Sequence, residues 1–449
     1  MSKDKFKMTK PNITRSNEIY KKANKIIPSG SQTFSKGVTQ FVEGFAPKYL
    51  ERGKGSYVWD VDNNKYLDYI MGCHPIILGY ADPDVNKAVI EQLEKGSTFS
   101  QMNELEVDVA EMLVDAVPCA EMVRYGKNGA DATTVAVRIS RAITGRDHVA
   151  FCGYHGWHDW FIATTDLNKG IPKFNEDLAH SFGFNDLDSL ERVFKENPDQ
   201  VSCVIMEPLT VMEPENNFLE EVKKMTHHYG ALLVFDEVIT GFRFALGGAQ
   251  ELTGVIPDLT CLAKAISNAI PLSAIVGKKE YMSCLDETFF SFTYGGDCIG
   301  LAAAKACIPK IKKEKVPEHL WKVGTLLKDG FNDLAKTHNI AEYIECIGYP
   351  CRSVVTFDPQ NTFDNLEMKS WFQQELLRRG VLWTAYHALC YSHKTEEIDY
   401  TLNCLDEIFP IFRDIVKKKK SLRSLIEGIP VRPVFRKVSD FNAYIQKDK

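Results

Sequence analysis

The sequence lacks several features that would assign it to common classes of protein. None of its 12 cysteines stands in a C-x-x-C pair and no spacing is typical of zinc ligands, so we predict no metal site. No apolar run approaches the roughly 20 residues that a membrane-spanning helix needs. The net charge of −6 argues against nucleic acid as the main partner. The KKKK run at 417–420 fits a solvated helix end better than an anion-binding patch.

Targeting and nucleotide-binding motifs are also missing. The N-terminal stretch MSKDKFKMTKPNITR is basic and polar with no apolar segment, so we expect no secretory signal and a cytoplasmic protein with reduced thiols. No G-x-G-x-x-G motif follows a first strand, which argues against a nucleotide-dependent dehydrogenase. With 449 residues, of which 44% are hydrophobic and 25% charged, the chain is expected to form a large domain and a smaller one.

What is present is an alternation of short apolar runs with longer amphipathic segments. Apolar residues recur every three or four positions between Ala132 and Ile143, which predicts a helix that ends at Gly145. Strands alternating with helices predict an α/β fold with a mostly parallel sheet covered on both faces. The runs expected to be buried strands are HVAFCGY (148–154), SCVIMEP (202–208), ALLVFDEV (231–238) and PLSAIVG (271–277).

The two ends of the chain differ in pattern from the middle. KGSYVWDVDNNKYLDYI predicts a β-hairpin that turns at residues 62–64. After residue 310, charged amphipathic helices alternate with short strands such as SVVTF (353–357). We therefore expect the following parts: residues 1–70 and 311–430 combined into a small domain, residues 71–310 as the large domain, and residues 431–449 as a tail.

One lysine stands among apolar and small neighbours. Lys264 is the single charged residue after Asp258 in PDLTCLAKAISNAIPLSAIVG (257–277). Leaving an ammonium out of water is costly, and a desolvated lysine offers the neutral amine that Schiff-base chemistry requires. The alternative is a lysine whose charged head reaches the surface along its own stem.

An aspartate ends one of the predicted strands. Asp236 follows the apolar run ALLVF, and open α/β sheets bind ligands at the carboxyl ends of their strands. A carboxylate there can hold a ring nitrogen in its protonated form, because a nearby anion favours the cation. The alternative is that Asp236 or Glu237 only caps the following loop.

Two further stretches favour a phosphorylated, flat ligand. In YGKNGADATT, Gly129 precedes a helix whose first amides could seat a phosphate, although Asn-Gly is also an ordinary turn. FCGYHGWHD brings Tyr154, His155, Trp157 and His158 together after a strand, where an aromatic ring could stack on a heterocycle or simply pack in a corner. The order of phosphate seat, aromatic ring, aspartate and lysine fits a phosphorylated pyridine aldehyde.

These motifs resemble those of the class III aminotransferases, which are fold type I enzymes that use pyridoxal 5'-phosphate. The resemblance runs from about residue 15 to about residue 410, and within the family the chain is most similar to glutamate-1-semialdehyde 2,1-aminomutases and the transaminases that share their pattern. The stretches that carry it are KGSYVWDVDNNKYLDYIMGCHPIILGYADP, FDEVITGFR and DLTCLAKAISNAIPLSAIVG.

The resemblance implies a role for each matching residue. Lys264 would hold the cofactor as a Schiff base, and Asp236 would pair with its pyridinium nitrogen. A homodimer with shared active sites follows from the same pattern. The implied cofactor contacts are Asn128, Gly129 and Ala130 at the phosphate, Val238 and Tyr154 on the two ring faces, His155 and Glu207 close by, and Thr293 from the neighbouring subunit.

The substrate side departs from the aminomutase pattern. Ala130 lacks the hydroxyl of the usual Ser-Gly-Thr-Glu-Ala motif, although the backbone amides remain. Lys36 replaces an arginine that binds the substrate carboxylate, and a lysine cannot make the same forked contact. CHP (73–75) replaces an aromatic segment, and His387 stands in place of a gating glutamate. We therefore expect Lys36, His74 and His387 to contact the substrate, while His387 could equally be a structural histidine.

The sequence thus predicts a pyridoxal-phosphate-dependent aminotransferase. It would move an amino group from a donor, expected to be glutamate, to a ketone or aldehyde through a ping-pong aldimine mechanism. The changed substrate side suggests a sugar or secondary-metabolite intermediate as acceptor. One alternative is an aminomutase, which moves an amine within a single substrate. A regulatory module without catalysis is a second alternative, disfavoured by the presence of Lys264 and Asp236.

Overall fold

A computed structural model describes residues 9–360 and 362–433. The predicted tail from residue 434 onward and the first eight residues of the basic N-terminus lie outside the described residues.

The helices are α1 (Thr14–Ile26), α2 (Pro83–Lys95), α3 (Glu104–Ala116), α4 (Gly129–Thr144), α5 (Asp159–Ile162), α6 (Phe174–Asp177), α7 (Leu187–Glu196), α8 (Phe218–His228), α9 (Ala249–Thr253), α10 (Lys279–Met282), α11 (Cys298–Lys313), α12 (Val316–Thr337), α13 (Asn365–Arg378) and α14 (Thr395–Lys417). The strands are β1 (Leu50–Lys54), β2 (Tyr57–Asp60), β3 (Lys65–Asp68), β4 (Met122–Gly126), β5 (His148–Cys152), β6 (Ala179–Ser181), β7 (Val201–Met206), β8 (Leu232–Asp236), β9 (Leu259–Leu262), β10 (Ser273–Gly277), β11 (Ile344–Tyr349), β12 (Arg352–Phe357), β13 (Val381–Leu382) and β14 (Tyr386–Ala388).

The described chain divides into two compact units. One holds the residues up to Asp82 and those from Glu318 onward, and the other runs from Pro83 to Pro317. Both boundaries lie later than residues 70 and 310, where the sequence pattern changes. The stretch after residue 70 stays with the chain ends because its backbone pairs there: Tyr391 N donates to Ile77 O at 2.7 Å.

The unit from Pro83 to Pro317 is built on a seven-stranded sheet with the order β4-β10-β9-β8-β7-β5-β6. Strands β5 to β9 are parallel to one another, while β10 runs antiparallel to both β9 and β4. The predicted α/β fold with a mostly parallel sheet is therefore confirmed. The four apolar runs form β5, β7, β8 and β10, and the last three of these are buried along their whole length. Burial on both faces explains why these runs are continuously apolar.

Helix α4 packs on this sheet with the face that the sequence predicts. Val135, Ala136 and Ile139 are buried in one cluster with side chains of β5, β7 and β8. The helix ends at Gly145, whose φ of 67° is the left-handed conformation that glycine adopts at little cost. The buried face holds α4 against the sheet, and the first turn of the helix follows closely after β4.

The unit that joins the chain ends contains two smaller sheets, ordered β1-β2-β3-β13 and β11-β12-β14. The predicted hairpin is formed by β2 and β3, and its turn passes through Asn63 with a φ of 67°. The SVVTF segment lies in β12, and the KKKK run is exposed where α14 ends. The hairpin, the short strand and the exposed helix end are thus all found where the sequence predicts them.

Two further observations hold for the described part of the chain. No helix within residues 9–360 and 362–433 is both long enough and apolar enough to cross a membrane. All twelve cysteines fall in these ranges, and none of them is joined in a disulfide.

Candidate active site

The sheet of the Pro83–Pro317 unit brings the predicted cofactor residues to one edge. Strands β5, β7, β8 and β9 are parallel, and β4 runs in the same direction because β10 lies antiparallel between it and β9. Their carboxyl ends therefore meet at one edge, where open α/β sheets bind ligands. The residues that follow these ends are Asn128 after β4, Tyr154 and His155 after β5, Glu207 after β7, Asp236 and Val238 at β8, and Lys264 after β9.

Asp236 is buried and directed at His155. Its Oδ2 lies 2.8 Å from Nδ1 of His155, and its Oδ1 accepts a hydrogen bond from Val238 N at 3.1 Å. Only 4% of Asp236 and 2% of His155 are exposed. An ionised carboxylate can only accept, so with Asp236 in that form the bond takes its proton from Nδ1 of His155. The Nε2 atom of His155 is buried with no hydrogen-bond partner among the described residues.

Glu237 has the capping role that the sequence left open between the two carboxylates. Its oxygens accept hydrogen bonds from the Ala249 and Gln250 backbone, from the Gln250 side chain at 3.0 Å and from Thr240 Oγ1 at 2.8 Å. Burial raises the pKa of the Glu237 carboxyl, while these hydrogen bonds act in the opposite direction. Glu237 therefore fixes the loop after β8, to which Asp236 adds only the bond from Val238 N.

The phosphate seat at the start of α4 is a tight cradle. Asp131 Oδ2 accepts from the backbone N–H groups of Lys127 and Asn128, both at 2.8 Å. A Cβ atom added to Gly129 would lie 3.0 Å from both methyl groups of Val238, so only glycine lets the backbone approach this closely. The first amides of a helix lack intrahelical acceptors and carry the positive end of its dipole. This seat fits a phosphate.

The seat also packs against the segment that follows β5. A Cβ on Gly156 would lie 2.7 Å from the Cβ of Ala130, and Thr133 Oγ1 donates to His155 O at 2.7 Å. These contacts explain why a small residue stands at position 130. The link through Thr133 was missed by the sequence analysis, and no spacing rule would have found it.

Lys264 begins a short 3₁₀ turn directly after β9. Its φ of 48° is left-handed, and so are those of Asn268 (47°) and Ala269 (79°). Left-handed backbone at residues other than glycine is uncommon, and such strain clusters at functional sites. Lys264 is half-buried, which is intermediate between the desolvated lysine and the surface-reaching lysine that the sequence allows.

The remaining predicted cofactor contacts of this unit differ in their exposure. Tyr154 is 37% exposed and meets the ring of Phe161 edge-on, with centroids 5.4 Å apart. Glu207 lies beside the same segment, because a Cβ on Gly153 would be 3.0 Å from its Cγ. Thr293 is exposed in the loop before α11. A cavity of about 380 Å³ opens beside Asn128, on the face of α4 that carries Thr134.

Lys36 and His74 belong to the unit that joins the chain ends. Lys36 is exposed and lines a cavity of about 220 Å³ within that unit. His74 ends a run of four left-handed residues, 71–74, and its ring stacks on Tyr386 with centroids 4.9 Å apart.

His387 lies in the same unit and is almost fully buried. Its Nδ1 is 2.9 Å from Ser353 Oγ, and its Nε2 accepts from Trp383 Nε1 at 3.1 Å. Burial lowers the pKa of His387 from 6.5 to about 3, so the ring is neutral. With both nitrogens bonded inside the unit, the geometry favours the structural alternative for this histidine.

Comparison with known proteins decides the family. The family model described as aminotransferase class-III matches residues 42–408. The chain belongs to the class III aminotransferases. A curated relative, the 3-aminobutyryl-CoA aminotransferase of Cloacimonas acidaminovorans (strain Evry), is 34% identical over 406 residues, which cover 88% of this chain and 96% of the relative.

Solved structures agree with this assignment. The FumI protein of Sphingopyxis sp. MTA144, determined with pyridoxal phosphate, has a TM-score of 0.85 and 25% identity and covers 92% of this chain and 100% of its own. A glutamate-1-semialdehyde aminomutase from Pseudomonas aeruginosa PAO1 has a TM-score of 0.78 and 21% identity over 89% of this chain and 94% of its own. At that identity the aminomutase likeness shows the fold alone, so the predicted subgroup is one structural neighbour among several.

This class III aminotransferase is a fold type I enzyme whose cofactor is pyridoxal 5'-phosphate. The edge described above fits that cofactor on its own geometry. The Gly129 cradle suits a phosphate, the buried Asp236 suits a ring nitrogen, and Lys264 would offer an amine at the same edge of the sheet.

Proposed function

We propose that this aminotransferase takes an amino group from glutamate and delivers it to a ketone or aldehyde carbon in two half-reactions. The observation that carries the proposal is the placement of Asp236 and Lys264 at the ends of neighbouring parallel strands, with Asp236 buried and aligned by His155. In these positions the Asp236 carboxylate would hold a proton on the cofactor ring, and the half-buried Lys264 amine would move protons at the substrate carbon.

The proposed roles follow from these positions. Pyridoxal 5'-phosphate supplies an aldehyde that captures amines and a ring that accepts electrons. Asp236 holds a proton on the ring nitrogen, and His155 keeps that carboxylate oriented. The Lys264 amine removes the proton from the α-carbon of the donor and, in the second half-reaction, returns a proton to the carbon of the acceptor.

Binding of the cofactor is assigned to the residues around the seat. The backbone amides of Gly129 and Ala130 hold the phosphate. Val238, which lies against Gly129, packs on one face of the ring, and Tyr154 packs on the other. The remaining proposed cofactor contacts are Asn128 and Glu207.

For the acceptor we propose first an oxo group on the β-carbon of an acyl thioester. The relative that is 34% identical over nearly its whole length is a 3-aminobutyryl-CoA aminotransferase, and its name places the amine on carbon 3 of an acyl group. The changed substrate side of the sequence also suggests keto-sugar or secondary-metabolite intermediates. Lys36, an exposed cation, and His74 are the proposed substrate contacts, and the buried His387 supports the fold around them.

We further propose a homodimer with shared active sites that works in the cytoplasm. Thr293 is exposed in the loop before α11, as a residue that reaches the cofactor phosphate of a second subunit must be. The cysteines form no disulfides, which suits a reducing compartment.

The test is a screen of the two half-reactions by absorbance. Purified enzyme loaded with cofactor is mixed with glutamate, and conversion of the imine band to the amine band is followed. The aminated enzyme is then mixed with a 3-oxoacyl thioester, keto-sugars or glutamate semialdehyde. Conversion by glutamate and recovery by the thioester support the proposal. Turnover of glutamate-1-semialdehyde without any glutamate requirement would favour the aminomutase alternative instead.

A further inference from the structure

Lys127 lies between the end of β4 and the phosphate seat, and both its backbone and its side chain are fixed. Its N–H donates to Asp131 Oδ2 at 2.8 Å. Its Nζ lies 2.6 Å from Oδ2 of Asp297 and donates to Pro271 O at 3.1 Å. Only 18% of the Lys127 side chain and 16% of the Asp297 side chain are exposed. The ion pair is therefore largely shielded from water and is stronger than an exposed pair.

The two acceptors of the Lys127 ammonium lie in the loop that follows Lys264 and at the start of α11. Pro271 closes the loop that starts at Lys264 and passes through the left-handed residues 268 and 269. Asp297 caps α11, since the same Oδ2 accepts from Gly300 N at 3.2 Å. Lys127 thus joins the phosphate seat to the loop of Lys264 and to the start of α11.

Little space remains where the phosphate seat, the Lys264 loop and the start of α11 meet. A Cβ on Gly300 would lie 2.8 Å from Pro271 O and 3.4 Å from Lys127 Nζ. The three segments consequently meet at the ammonium in close contact. Lys127 Nζ is the cation at their meeting point, and its removal would leave the Asp297 carboxylate and the Pro271 carbonyl without this donor.

We propose that Lys127 is a positioning residue that holds the phosphate seat and the Lys264 loop at a fixed separation. This inference rests on the proposed function, in which the seat would hold the cofactor at its phosphate and Lys264 would hold it at its aldehyde. A change in their separation would then weaken both contacts together. Lys127 acts through its neighbours and takes no part in the chemistry.

The test compares cofactor binding in three variants. Lys127→Met removes both contacts, Lys127→Arg keeps the charge, and Asp297→Asn removes the anion while leaving the bond to Pro271. The dissociation constant of pyridoxal phosphate is measured by titrating the cofactor-free enzyme, and the release rate is measured on dilution. We expect Lys127→Met to weaken affinity about tenfold or more, the loss of one charged hydrogen bond. Lys127→Arg should recover most of the lost cofactor affinity.

A matched control separates this role from general destabilisation. Lys312→Met breaks an exposed pair in the same unit, 2.9 Å from Asp115, and should leave cofactor affinity unchanged. The cofactor-free Lys127→Met enzyme should unfold at a lower temperature, because the Asp297 carboxylate loses its cation, and Lys127→Arg should restore both this temperature and the cofactor affinity. The pH titration of the imine band of the loaded Lys127→Met enzyme should shift.

Two results would overturn the proposal. One is wild-type cofactor affinity in Lys127→Met. The other is a joint loss of affinity and of thermal stability that Lys127→Arg does not recover. If Lys127→Met does not fold, the same readouts on Asp297→Asn decide. Neither donor nor acceptor enters these measurements, so their outcome is distinct from that of the proposed substrates.

Discussion

Nδ1 of His155 and Oδ2 of Asp236 lie 2.8 Å apart in the interior of the protein, although the two residues are separated by 81 positions in the chain. The bond fixes the carboxylate at the end of β8, and Thr133 in turn holds the backbone of His155. The carboxylate proposed to hold a proton on the cofactor ring is therefore oriented by a chain of protein contacts.

Replacing His155 by Leu tests this orientation. The change removes one hydrogen bond to a charged group, worth about 1.5 kcal/mol, so we expect the glutamate half-reaction to slow about tenfold. His155→Gln can still donate a hydrogen bond to Asp236, so we expect a smaller loss of rate. Stopped-flow absorbance measures both rates. His228→Leu, a change of an exposed histidine on α8, is the control, and an unaltered rate in His155→Leu would contradict the role.

Gly129→Ala tests the close approach of the phosphate seat to Val238. The added methyl would stand 3.0 Å from both Val238 methyl groups, and overpacking of this kind costs about 1–3 kcal/mol. We expect cofactor affinity to fall about tenfold. Val238→Ala creates space at the same point. The double variant should therefore lose less binding free energy for the cofactor than the two single variants lose in sum. Strict additivity in the measured dissociation constants would show that the contact is not the cause.

Glu237→Gln tests the division of labour between the two carboxylates after β8. The new amide nitrogen cannot accept the hydrogen bonds that Glu237 receives, so we expect a loss of about 1–3 kcal/mol of stability. The loss should appear as a lower urea midpoint. Glu220→Gln, at an exposed position of α8, should leave the midpoint unchanged, and equal midpoints for both variants would refute the structural role.

Buried histidines predict a fall in stability at acidic pH. Burial lowers the pKa of both His387 and His393 from 6.5 to about 3. Between these values the unfolded chain binds protons that the folded chain does not, so stability falls as the pH drops below 6.5. Each histidine contributes about 1.4 kcal/mol per pH unit in that window.

Replacing His387 by Gln should therefore flatten the pH dependence of unfolding. The measurement is the urea midpoint between pH 7 and pH 4, compared with wild type. The variant is expected to be less stable at pH 7, because the contacts with Ser353 and Trp383 change, and to lose less on acidification. Parallel curves for the two proteins would mean that His387 does not resist protonation.

Local patterns were enough to predict the main elements of the fold. The apolar runs of β7 and β8 and the spacing along α4 arise within single segments, so their periods are visible in the sequence. The strand-end position of Asp236 follows from the same reasoning. The resemblance of the sequence to the class III aminotransferases then implied the roles expected of Lys264 and of the phosphate seat.

Contacts between distant segments could not be predicted in this way. Nothing local shows that Asp236 binds His155 while Glu237 caps the loop, because the two carboxylates are adjacent and chemically alike. The Lys127–Asp297 pair spans 170 positions and depends on how β4, the Lys264 loop and α11 come together. The unit boundary after Asp82 likewise depends on the backbone pairing of residues 71–82 with the C-terminal segment.

The amine of Lys264 is the group proposed to carry the cofactor. Borohydride reduction of the loaded enzyme, followed by peptide mapping, tests it most directly. We predict that the reduced cofactor is found on Lys264 and that Lys264→Ala retains bound cofactor but shows almost no turnover. Labelling at another lysine, or full activity in Lys264→Ala, would contradict the account.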